Sequence, residues 1–399
     1  MNKLKCYDSY NGKIDWLSLC FDMLIDYIPE DCDTLENVES FKCISTHAET
    51  ISNFYYEKNR NKNDSLILRS ADLFEKIGEH YEDCGMYDFV LNNYQLALEI
   101  KKSIYGERHV DIAILYDNMG LFYTKNGNFG SAIKFNSMAI KIFEDICKEK
   151  NLDTAIAYSN LGLAYEEQGN YDNAIEWYMK AKDIDESLYG IESLVTAADY
   201  NNIGSSYIKK GNYEKALEFL DIACKVKEKL NKENSPDNAI TYNNIGSAKW
   251  HLKLYDEAMF YTQKSFEIYK SIYGEEHPSV AKAYNNIATI LVDKGDKKGA
   301  KKLFIRSLDI GKKTLGLYHP EVALDYYNIG NCFLDEGNQA QALLYFLKAY
   351  SVFVDVVDCE HKDAKRTLRQ LQYIYEKIDA KDSFRDWLIK EVKNIPKDL

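Results

Sequence analysis

No stretch of the 399-residue chain is apolar over anything near the roughly 18 residues that a membrane-spanning helix needs. Nor do the opening residues, Met1, Asn2, Lys3 and Leu4, lead into the apolar core of a signal peptide, so the expected address is the cytosol. Basic charge is in short supply: 50 Lys and Arg stand against 63 Asp and Glu, a balance of −13. A phosphate backbone or an anionic membrane surface calls for a basic stripe, so neither nucleic acid nor membrane is expected as a partner. The nine cysteines include no C-x-x-C pair and read as reduced thiols packed as small apolar groups, not as a metal or redox site. The phrases G-x-x-x-x-G-K-[ST], G-x-S-x-G and H-E-x-x-H are also missing. The expectation is a protein that is not an enzyme and uses neither metal nor cofactor.

What the chain has instead is a period. Gly78, Gly120, Gly162, Gly204, Gly246, Ala288 and Gly330 stand 42 residues apart. Four positions before the last six come Tyr116, Tyr158, Tyr200, Tyr242, Tyr284 and Tyr326. Two positions before the same six come Asn118, Asn160, Asn202, Asn244, Asn286 and Asn328. Such a register means stacked copies of one supersecondary unit, which share a continuous core. In one copy, Tyr158, Leu161 and Tyr165 mark a face of a first helix, with Asp153 the expected N-cap. Asp111, Asp237, Ser279 and Glu321 share the column of Asp153. Gly169 should end that helix in the left-handed conformation, as should Gly85, Gly127, Gly211, Gly295 and Gly337; Lys253 alone departs.

Ala174, Trp177, Tyr178, Ala181 and Ile184 stripe the second helix. A glycine in mid-helix costs about 1 kcal/mol against alanine, so its recurrence predicts a helix crossing too close for a side chain. The 32 tyrosines are expected mostly in the core, facing small alanines. His109, His277, His319 and His361 share one column in the turn between repeats, too dispersed to converge on a metal.

These residues resemble the tetratricopeptide repeat. The long period resembles the kinesin light chain variety, as do Tyr-Asn-Asn-Ile-Gly at 200–204 and 242–246 and Ile-Tyr-Gly-Glu-Glu-His-Pro at 272–278. The resemblance spans about residues 70–395 and implies an all-α, right-handed superhelical α-solenoid of antiparallel helix pairs. Seven repeats would occupy 66–363 and a degenerate repeat or cap 364–399, where Gln372 replaces the glycine. Residues 1–65, outside the register, would form an N-terminal helical cap or a docking module.

In the resembling family the first helix of each repeat lines the concave surface. Residues three before, one after and four after the glycine share a face of that helix. From Asn201 onward they read Asn201/Ser205/Ile208, Asn243/Ser247/Trp250, Asn285/Thr289/Val292 and Tyr327/Asn331/Leu334. Amide, small hydroxyl and apolar group suit an extended peptide, the amides bonding its main chain and the apolar spots taking side chains. The candidate peptide-binding residues are therefore Asn201, Asn202, Ser205, Ile208, Asn243, Asn244, Ser247, Trp250, Asn285, Asn286 and Val292. The asparagine column has a second, compatible role, bonding the neighbouring helix. Trp250 also has two readings, because its repeat carries Lys249 in a tyrosine column. It either fills the vacated core slot or anchors a peptide. Isolated lysines such as Lys125, Lys209 and Lys282, with no arginine on the stripe, disfavour a clamp for a terminal carboxylate. The functional expectation is a scaffold or adaptor binding an extended segment of a protein partner. The alternative is a peptide-responsive receptor of Rap-like layout, whose N-terminal helices act on a target.

Overall fold

The period becomes helix pairs. The computed structural model describes residues 44–50, 65–83, 86–146, 151–230, 234–356, 362–377 and 382–393, with single positions at 23, 52 and 56. The chain divides into two compact units, Met1–Gly190 and Ile191–Leu399. In the first, α1 (Ser65–Asp83) pairs with α2 (Tyr87–Tyr105), α3 (Val110–Lys125) with α4 (Phe129–Ile146), and α5 (Leu152–Glu167) with α6 (Tyr171–Tyr189). In the second, α7 (Leu194–Lys210) pairs with α8 (Tyr213–Lys229), α9 (Pro236–His251) with α10 (Tyr255–Tyr273), and α11 (Pro278–Asp293) with α12 (Lys297–Thr314). There α13 (Pro320–Asp335) pairs with α14 (Gln339–Val356), and α15 (Lys362–Tyr375) and α16 (Phe384–Lys393) pack on α14. No strand occurs among the described residues.

The glycine column marks the closest approach within each pair. A Cβ at Gly162 would lie 2.9 Å from the Tyr178 ring, one at Gly204 2.6 Å from Leu220, and one at Gly330 2.8 Å from Phe346. The second helix of the pair thus drives a side chain, 16 residues further on, into the gap that glycine leaves. The expected arrangement, large tyrosine against small alanine, is only half of the packing. The tyrosine column itself is buried at Tyr116, Tyr200, Tyr242 and Tyr326 but only half-buried at Tyr158 and Tyr284. Those two keep a hydroxyl on carboxylates, Tyr158 on Glu144 at 2.7 Å and Tyr284 on Glu275 at 3.0 Å.

The caps correct the sequence reading by two positions. First helices start after His109, Asn151, Ser193, Ser235, His277 and His319, whose side chains accept from backbone N–H groups of the first turn. Asp111, Asp153, Asp237, Ser279 and Glu321 therefore sit at the second helical position, where an acidic group favours the positive end of the helix dipole. The histidines are caps: Nδ1 of His277 accepts from the Ser279 N–H at 3.1 Å, while its ring stacks on Tyr273 at 4.2 Å between centroids. His361 lies outside the described residues.

Lys253 does not depart from the stop column in conformation, since it adopts φ 63° where the other copies use glycine. Gly85 lies outside the described residues. Buried Ala48 and Tyr56 join the core of α1 and α2, Tyr81 Oη donates to Ser45 Oγ at 3.1 Å, and Asn93 donates to Glu49 at 2.9 Å. The described part of the N-terminal region is thus docked on the first pair; residues 1–22 and 24–43 lie outside the described residues. At the other end Leu371, Ile374, Trp387 and Leu388 bury against the α13–α14 core, and Gln372 faces outward. Cys224 and Cys332 are buried thiols, pushed by burial up to about 12 and about 11. The other seven cysteines lie outside the described residues.

Candidate functional site

The first helices of the second unit carry a ladder of amides. Asn244 donates to Asn201 at 3.2 Å, Asn286 to Asn243 at 2.7 Å and Asn328 to Asn285 at 3.4 Å. In every rung the asparagine two before the glycine donates Nδ2 to the residue three before the glycine of the preceding repeat. The first unit builds the same rung with an acid, Asn160 donating to Asp117 at 2.8 Å. The stack-bonding role of the asparagine column is therefore realised at Asn118, Asn160, Asn244, Asn286 and Asn328, and it consumes one amide atom at each.

Asn285 is used at both ends, since its Nδ2 also donates to Asp325. Asp325, two positions before the stripe residue Tyr327, lies outside the predicted stripe. Its second oxygen lies 2.8 Å from Ser307 Oγ, which is also 2.9 Å from the Ala281 carbonyl. A protonated Asp325 donates to Ser307 and leaves the Ser307 proton wholly for the Ala281 carbonyl, whereas an ionised one must share it. Burial pushes the Asp325 carboxyl up to about 7, the direction that arrangement requires.

Over this ladder lies an open cavity of about 290 Å³. Of the eleven candidates, Ser205, Ile208, Asn243, Asn244, Ser247, Trp250 and Asn286 line it. Lys209, Lys282, Thr289 and Ile290 line it too, and Gly246 and Thr262 contribute from the crossing of α9 and α10. The remaining four lie elsewhere. Asn201 and Asn202 face a separate pocket beside Lys227 and Ser235, Asn285 faces a small one beside Asp325, and Val292 packs against the α13–α14 core.

Trp250 does not occupy the vacated core slot. Lys249 stays there, its stem half-buried, its ammonium on Glu257 at 2.7 Å and 5.7 Å from the Tyr261 ring centroid. The half-buried Trp250 indole donates to Asp293 of the next repeat at 2.5 Å and leans on the His251 ring at 4.5 Å. That fixes a flat apolar wall facing Ile208 across the cavity. Thr262 was missed in the sequence because it lies on a second helix, outside the stripe. Its column, Tyr94, Asn136, Tyr178, Leu220, Thr262, Phe304 and Phe346, holds the signal that could have found it.

The chain belongs to the tetratricopeptide repeat family, whose profile matches residues 69–145, 153–229, 237–310 and 298–353. A kinesin light chain from Podosopora anserina with nearly identical TPR-like repeats is 18% identical, over 51% of this chain and 97% of that one, with a TM-score of 0.45. Aspartyl phosphate phosphatase F from Bacillus subtilis is 14% identical, over 90% of this chain and 88% of that one, with a TM-score of 0.58. A Rap protein solved in complex with competence and sporulation factor is 16% identical, over 91% and 98%, with a TM-score of 0.52. At these identities the likeness is one of fold. No curated protein matches the sequence. No group of three or more His, Cys, Asp or Glu suited to a metal occurs among the described residues, and none of their helices is long and apolar enough to cross a membrane.

Proposed function

We propose that this chain is a cytosolic, non-catalytic interaction module that holds an extended segment of a partner protein along the first helices of its second unit. The observation that carries the reading is the convergence of seven candidates on one open cavity, with Trp250 and Ile208 as apolar walls and asparagines at the rim. The rungs leave complementary groups beside it: Asn286 uses Nδ2 on Asn243 Oδ1, so the Asn243 amide N–H and the Asn286 carbonyl remain for a ligand. One donor and one acceptor match a single peptide unit of an extended chain.

Selecting a displayed library of twelve-residue peptides against the full chain tests this. Selected peptides should lose about 2 kcal/mol or more of binding on Trp250→Ala. Its melting temperature should barely move, because the ring is half-buried and its hydrogen bond is exposed. Peptides that bind Trp250→Ala and Ser247→Glu as well as the parent would sink the reading. The receptor alternative is supported by the breadth of the Rap-type fold match and by the docking of Ser45, Ala48, Glu49 and Tyr56 on α1 and α2. A selected peptide that changes hydrogen exchange in residues 44–56 would favour it.

A further inference from the structure

We infer that the space above Gly246 is a side-chain subsite, taking one leucine- to phenylalanine-sized apolar side chain of the bound segment; this rests on the peptide reading above. In most pairs the chain fills that space itself. A Cβ on Gly78 would meet Tyr94 at 2.8 Å, on Gly162 Tyr178 at 2.9 Å, on Gly204 Leu220 at 2.6 Å, and on Gly330 Phe346 at 2.8 Å. Each of those side chains is a large apolar plug, less than a tenth exposed, sent from the second helix over the glycine of the first.

At Gly246 the plug is Thr262, whose Oγ1 would meet the added Cβ at 2.5 Å. Threonine, here 2% exposed, ends one atom beyond Cβ and stops short of where a leucine or an aromatic ring would reach. That volume is the inner end of the cavity, whose lining includes both Gly246 and Thr262. Water in such a gap leaves its apolar walls without the contacts that a packed side chain would supply. The occupant follows from the comparison: the group that fits here is the kind that Tyr94, Tyr178, Leu220 and Phe346 supply from within, Asn136 over Gly120 being the polar exception. The entrance agrees, with the pinned Trp250 indole on one side, Ile208 on the other, and the Asn243 and Asn286 amides placed for the main chain.

The test is to give Thr262 the residue its neighbours have. The full chain, with tryptophan indoles labelled by ¹⁵N, is titrated with N-acetyl-phenylalaninamide, N-acetyl-leucinamide and N-acetyl-glycinamide, and with the library-selected peptides. Expected is movement of the Trp250 indole resonance with the first two amides and none with glycinamide. Thr262→Leu should melt at or above the parent temperature and bind both probes and peptides at least about tenfold more weakly. Should Thr262→Leu fold poorly, Thr262→Ala supplies the test: a deeper floor should shift preference toward N-acetyl-tryptophanamide. Peptides that depend on Asn243 but bind Thr262→Leu like the parent would overturn the subsite and leave the groove reading standing. Peptides indifferent to Asn243, Ser247 and Thr262 alike would overturn both. A concentration-dependent dimer in which Trp250 is shielded would make a second copy of the chain the occupant and overturn the peptide.

Discussion

The same substitution should act with opposite sign at two glycines. At Gly330 an alanine Cβ would stand 2.8 Å from Cδ1 and Cε1 of Phe346 and 3.2 Å from Cζ. Carbon atoms pack at about 3.5–4.0 Å, so roughly 1 Å must be found. The ring cannot supply it by turning away, because Phe346 is 0% exposed and lies against Tyr327 at 5.5 Å between centroids. Overpacking of this kind costs about 1–3 kcal/mol. Alanine returns about 1 kcal/mol of helix propensity, leaving Gly330→Ala a net loss of up to about 2 kcal/mol. Gly130, near the start of α4, is exposed, and nothing lies within 4 Å of where its Cβ would be. There the propensity gain stands alone, and Gly130→Ala should stabilise by up to about 1 kcal/mol. Thermal melts give the sign of each change. Hydrogen exchange gives its location, since loss at one pair of a stack should concentrate in α13 and α14. A Gly330→Ala protein that melts as high as Gly130→Ala would refute the close-approach account of the whole column.

Burial pushes the Asp117 carboxyl up to about 7, so between about pH 4 and pH 7 the native state holds a proton that the unfolded chain has released. Stability from this group is present at low pH and lost as pH rises through that window. Asp117→Asn, which installs the residue found at 201, 243 and 285, should be more stable than the parent by up to a few kcal/mol at pH 8. The gap should close near pH 4, and an equal gap at both would reject the titration. Lys253→Gly should raise the melting temperature by relieving about 1 kcal/mol of strain at φ 63°. A fall would show that the lysine side chain contributes more than its backbone costs.

The pair architecture was legible because its signals are steric. Only a very close crossing explains Gly78, Gly162 or Gly330 in mid-helix, and a left-handed residue is needed at Gly169 or Gly211. The caps were misplaced because an acid at the second helical position looks as suitable as one at the cap. The usable marker was proline: Pro236, Pro278 and Pro320 are first helical residues, which puts the cap one position earlier. Half of the cavity was legible as a stripe, since one face of one helix has a simple period. Thr262 and Asp325 were not, because each matters through what another helix brings to it. Neither the gap over Gly246 nor the hydrogen-bond network of Asp325, Ser307 and the Ala281 carbonyl exists in any local stretch of sequence.

The amide rungs also bear on how the chain tolerates insertion and deletion. Each rung joins residues 43 apart, and the donor of one rung directly follows the acceptor of the next: Asn244 follows Asn243, and Asn286 follows Asn285. A duplicated 42-residue segment would carry one of each and re-form both joints. Loss of a whole segment would bring the flanking donor and acceptor together again. An insertion in the turns before His277 or His319 leaves donor and acceptor each in its own helix. A single residue added inside α11, between Asn286 and Ala288, would instead rotate the rung residues away from the glycine column that holds the pair in place. Growth and shrinkage of this array in whole units is therefore the route its polar seam permits, while its helices resist change by single residues.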